Sequence, residues 1–90
     1  MDIKLNIIGE QVKKIRNKLN LSLEDLSKKL KNLGIELSPI QIDLIEKYKR
    51  KVNDYEWFGI AKVLNLNNPF ELLDLSEQED IPNLKKEDEI

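Results

Sequence analysis

Lys47, Lys49, Arg50 and Lys51 set four cations within five residues. That density suits a polyanion, because ammonium and guanidinium groups on phosphate oxygens supply most of the affinity for nucleic acid without reading its sequence. The same charges have a plainer use: cations at the end of a helix favour its dipole and keep the surface soluble. Catalysis has little to work with. The chain has no Cys and no His, which removes imidazole acid–base chemistry, His-ligated zinc and thiolate sites. Its carboxylates fall on helix faces that the pattern exposes or in the C-terminal stretch. There is no Gly-rich phosphate loop and no Ser with a plausible base. The chain is therefore not expected to be an enzyme, and neither a cofactor nor a metal is expected.

The cations are positioned by the stretch just before them, LSPIQIDLIE. Ser38 is placed to cap a helix, with Pro39 at its first position, where a missing N–H costs nothing. Gln41 lies three residues after Ser38 and can close a capping box. Ile42 and Ile45 face inward at helical spacing. These residues predict a helix over 39–48, the second helix of a helix-turn-helix, whose outer side would enter a DNA major groove.

The other elements follow from the same signals. Residues 1–5 read as a loose arm. Ile8, Val12, Ile15 and Leu19 predict a helix over about 7–19, with Lys13 and Lys14 off its apolar stripe. Ser22 and Asp25 open a second helix, whose apolar face is Leu23, Leu26, Leu30 and Leu33 and which Gly34 stops. Lys28, Lys29 and Lys31 read as a solvated face. Asn53 and Glu56 open a further helix running to about 64, with Trp57, Ile60, Ala61 and Leu64 inward and Val52 and Trp57 as its staple. Tyr48, Tyr55 and Trp57 read as packing aromatics. Pro69 starts a short fifth helix, PFELLDL, with Phe70, Leu73 and Leu72 inward. The expected fold class is all-α, a compact bundle of about five short helices over residues 1–75. Residues 76–90, SEQEDIPNLKKEDEI, read as an acidic mobile tail.

Ninety residues make one domain, with 40% hydrophobic and 36% charged residues. The net charge of −2 hides an uneven distribution. Residues 1–70 carry 13 basic and 9 acidic side chains, a net of +4, whereas residues 71–90 carry 2 and 8, a net of −6. The part expected to fold is mildly basic. No apolar run is long enough to span a membrane and no secretory signal is visible, so a cytoplasmic protein with no membrane contact is expected.

Three stretches in this order and spacing, IGEQVKKIRNKLNLSLEDLSKKL, LSPIQIDLIEKYKR and VNDYEWFGIAKVLNL followed by PFELL, resemble the Cro/C1-type, XRE-like helix-turn-helix family, the lambda-repressor-like DNA-binding proteins. The resemblance covers about Ile8 to Leu73. It implies a transcriptional regulator of the repressor type that binds double-stranded DNA, as a homodimer with one recognition helix per half-site. It implies an ion pair between Arg16 and Glu46 that orients the first and third helices. It places Pro39, Ile40, Gln41, Asp43 and Leu44 at base-facing positions, and Ser22, Lys47, Lys49, Arg50 and Lys51 against phosphates. Among the base-facing residues only Gln41 has the bidentate amide that reads adenine, while Ile40 and Leu44 suit a thymine methyl.

The sequence also departs from the family's pattern. Leu23 stands where the family has a phosphate-contacting Gln. Tyr48 stands where it has a Gly, so the helix either runs on or ends on a strained residue. The turn KNLGIEL is longer than usual. Leu37, Ile40 and Leu44 form an apolar group with three readings: covered by the turn or tail, a protein-partner surface, or thymine contact. The alternative function is accordingly a helix-turn-helix fold turned to protein binding through the 39–48 face.

Overall fold

Side chains, not long apolar runs, decide where this chain turns helical. The computed structural model describes residues 3–73. Four α-helices follow one another, α1 Gly9–Lys18, α2 Leu23–Lys31, α3 Pro39–Glu46 and α4 Asp54–Val63, and then a single 3-10 turn, Pro69–Leu72. No strand occurs among the described residues. Ser22 with Asp25, Ser38 with Gln41 and Asn53 with Glu56 close reciprocal capping boxes at α2, α3 and α4. Each box satisfies two backbone donors that the helix start would otherwise leave open. α1 is held differently: the Asn6 side-chain oxygen accepts from the N–H groups of Ile8 and Gly9 at 3.0 and 2.8 Å.

All four helices end in one way. Asn20, Gly34, Tyr48 and Asn65 take left-handed φ values of 56°, 84°, 63° and 63°. The N–H of the following residue reaches back five residues, from Leu21 to Arg16, Ile35 to Leu30, Lys49 to Leu44 and Leu66 to Ala61, at 2.8–3.0 Å. This is the Schellman arrangement, whose last residue usually adds an apolar contact. Leu21, Ile35 and Leu66 do so, packing half-buried on the core. At the end of α3 that place is taken by Lys49, which is exposed.

Helices of 8–10 residues are too short to persist alone in water, so packing must hold them. α3 lies against α1 and α2, while α4 packs on α2 and on the 3-10 turn. The shared core is Ile8, Val12, Leu26, Leu30, Leu37, Ile42, Ile45, Ile60, Ala61, Leu64 and Leu72.

Several expectations need correction. α1 is shorter than 7–19 and leaves Leu19 exposed, as Leu33 is beyond α2. α3 stops at Glu46, short of the expected 48, because Tyr48 turns left-handed, the strained ending that was one of the two outcomes open at the family's Gly position. The fifth helix is one 3-10 turn. With three residues per turn instead of 3.6, it buries Leu72 and turns Phe70 outward, 67% exposed. Tyr55 is not a packing aromatic but lies 78% exposed. The arm is not loose at residues 4 and 5: Leu5 N–H donates to the Tyr48 carbonyl at 2.9 Å and the Lys4 ammonium lies 4.6 Å from the Tyr48 ring centre. The stretch 76–90 lies outside the described residues.

Candidate nucleic-acid interface

The anchor of α3 is a charge pair. Arg16 Nε donates to Glu46 Oε2 at 2.6 Å, and Arg16 Nη2 donates to Oε1 at 3.0 Å. Arg16 Nη1 also donates to the Leu21 carbonyl at 2.8 Å. Both residues are buried. The hydrogen bond to Glu46 holds the Arg16 guanidinium above its ordinary value, against the opposing effect of burial. A second tie comes from Asn6, whose amide donates to the carbonyls of Ile45 and Arg50 at 3.0 and 2.9 Å. The start of α1, the end of α3 and the loop beyond it therefore meet at one side chain. Asn6 and its neighbour Gly9 were not singled out in the sequence, although an Asn just before a helix is a familiar capping signal.

So fixed, α3 turns Ile42 and Ile45 into the core and presents the opposite side. Ile40 is 73% exposed there. Pro39, Gln41, Asp43 and Leu44 are half-buried, and Leu37 is buried in the core. Of the three apolar residues grouped together in the sequence, only Ile40 stands well out. Gln41 is already engaged: its side-chain oxygen accepts from Ser38 N–H at 2.9 Å. That leaves its amide nitrogen as donor and restrains the bidentate geometry that adenine needs. Asp43 lies 3.0 Å from Lys47, an exposed pair of adjacent turns. Beside α3, the long turn leaves a groove of about 380 Å³ lined by Ser27, Lys31, Glu36, Leu37, Ser38, Pro39 and Gln41.

The cations behind α3 divide in two. Lys47, Lys49 and Lys51 are exposed. Arg50 is half-buried and bridges to Glu56 through two contacts at 3.0 and 3.3 Å, with a third to the Lys51 carbonyl at 2.9 Å. Glu56 is fixed by the Asn53 box, so it is ready to receive the guanidinium fork. Arg50, expected against phosphate, here staples the loop to the start of α4.

Ser22 is likewise engaged. Its hydroxyl accepts from Asp25 N–H at 3.0 Å and its N–H donates to Asp25 Oδ2 at 3.0 Å. The carboxylate occupies the positive end of α2, where a phosphate would otherwise be welcome. The bonds from Ser22 hold the Asp25 carboxyl below its ordinary range. Since the folded value is depressed, this cap contributes fully above the unfolded value and is lost as pH falls through the folded one. Thermal melts at stepwise pH should show it: Asp25→Asn flattens the loss of stability below about pH 4, while leaving the shape of the curve above it unchanged.

Among the described residues no helix is long and apolar enough to cross a membrane. Compared with protein families, with curated proteins and with solved structures, the chain matches none.

Proposed function

We propose that this chain is a small DNA-binding regulator of the repressor type with a lambda-repressor-like fold, acting as a homodimer that sets the outer side of α3 in the major groove of double-stranded DNA. The reading needs neither cofactor nor catalysis: occupying a site is the whole of its action. One observation carries it. Four helices end on the same motif, and at three of them the last residue seals the core with Leu21, Ile35 or Leu66. At α3 the seal is given up for an exposed lysine, and the left-handed position before it is a Tyr. Strain and lost apolar contact at one helix end out of four are what a binding function would retain against stability.

In this reading Lys47, Lys49 and Lys51 grip phosphates. Ile40 touches a thymine methyl and the Gln41 amide nitrogen donates to a base edge. Base discrimination is thin and the phosphate grip dominates. A second reading, docking of a protein partner on α3, draws on the exposed Ile40 beside half-buried Leu44 and on the mutual neutralisation of Asp43 and Lys47.

Anisotropy titrations of a labelled duplex at stepwise salt separate the two. The DNA reading expects affinity that falls steeply with salt. Lys49→Ala and Lys51→Ala each weaken binding about equally for all sequences and lower the log–log slope by roughly one. No binding of the full chain to any duplex at low salt rejects the DNA reading and leaves the partner reading.

A further inference from the structure

Away from α3, the surface of α4 carries an unusual row. Phe58 is 57% exposed and Tyr55 and Phe70 are more so. Four residues before Phe58 lies Asp54, and four residues after it lies Lys62, both exposed. Asp54, Phe58 and Lys62 thus form one i, i+4, i+8 ridge with an apolar centre and opposite charges at its ends. Phe58 also separates two hollows. One, of about 180 Å³, is lined by Asp54, Trp57, Phe58, Pro69 and Phe70, and the other, of about 290 Å³, lies on the Lys62 side.

A ridge of this kind is complementary to itself. Turned through a two-fold axis at Phe58, a second α4 runs antiparallel to the first. Asp54 of each copy then faces Lys62 of the other, and the aromatic side chains of each face the hollows of the other. An isologous interface demands this symmetry, in which residue i meets j and j meets i. The charge order fits no parallel arrangement, which would set like against like. α4 packs on α2 and the 3-10 turn, and none of the ridge residues belongs to α3.

We propose that the Asp54–Phe58–Lys62 ridge of α4 is a homodimer interface and that its occupant is a second copy of this chain. It deepens the dimer named above and rests on that part of the reading, not on DNA binding. Exposed aromatic anchors at the centre supply the affinity, and the two charge pairs at the ends fix the antiparallel register.

Sedimentation equilibrium of the full chain over a wide concentration range, without DNA, tests the interface. The wild type should associate reversibly to a dimer and no further, since a closed two-fold contact leaves nothing over. Phe58→Asp should raise the dissociation constant by roughly tenfold or more, with its circular dichroism unchanged because the side chain is exposed. Asp54→Lys and Lys62→Asp should each weaken the dimer several-fold at low salt, and the double exchange D54K/K62D should restore it. Asp54 also accepts from Tyr55 N–H at 2.8 Å, so Lys62→Asp is the independent single variant should D54K unfold. A wild type that stays monomeric throughout, or a dimer indifferent to Phe58→Asp and to the charge exchange, overturns the proposal. Neither result bears on the duplex titrations, which read α3 and its lysines.

Discussion

Glu46→Ala is expected to lower the free energy of unfolding by about 3–5 kcal/mol. The carboxylate it removes meets Arg16 at 2.6 and 3.0 Å in a buried site. Without it the guanidinium keeps its charge, because no accessible pH deprotonates arginine, and among the described residues it keeps one hydrogen bond, to the Leu21 carbonyl, and the longer-range attraction of Asp43. A domain of this size has only about 5–15 kcal/mol of stability in all, so the variant should be largely unfolded at modest denaturant. The loss measures stranding, not the worth of the pair. Arg16→Met with Glu46→Leu, which takes both charges away and fills the space, should recover most of it. Urea titrations of the three proteins check this. A Glu46→Ala variant as stable as the wild type would show that water reaches Arg16 and that α1 and α3 are not joined there.

Gly9→Ala should destabilise by about 1–3 kcal/mol, against the usual rule that alanine in a helix gains up to about 1 kcal/mol over glycine. A Cβ built on Gly9 would lie 2.4 Å from the backbone oxygen of Ile45 and 3.1 Å from that of Glu46. Backbone cannot step aside, so α1 and α3 must part, and the Asn6 bonds that join them must lengthen. Gly59 makes the internal comparison. Its Cβ would meet the Ile35 side chain, which can rotate, so Gly59→Ala should come out near neutral. Thermal melts of the two variants side by side read the difference. Equal effects would mean that the close approach of the two helices is unimportant.

The starts of α2, α3 and α4 were legible because each is written in a short local code. Ser22/Asp25, Ser38/Gln41 and Asn53/Glu56 appear as capping pairs in the sequence and as reciprocal hydrogen bonds in the structure. The pairing of Arg16 with Glu46 came from a family resemblance, and the two residues do meet. Ends were less legible. A Tyr at a left-handed position carries no propensity signal of its own: the family's Gly at that place left two outcomes open, and only the φ of Tyr48, in parallel with Asn20, Gly34 and Asn65, decides for the strained ending. The 3-10 turn was not legible because a four-residue segment fixes no period, so Leu72 is buried as the pattern suggested while Phe70, also expected inward, points outward. The engagement of Arg50 was hidden for another reason. A cation six residues from a carboxylate across a loop has no fixed spacing, and only the folded path brings Arg50 to Glu56. Asn6 acts over 39 and 44 residues, a range that no window along the chain can see.

The chain has one tryptophan, and Trp57 donates its indole N–H to the Pro69 carbonyl at 2.6 Å while Phe70 meets its ring edge-on at 6.4 Å. Its fluorescence is therefore an intrinsic gauge of whether the C-terminal turn is seated, separate from the helical content that ellipticity reports. Lifting of that turn alone would change the emission before the ellipticity falls, so the two signals would reveal a stepwise loss of structure that either one alone would hide.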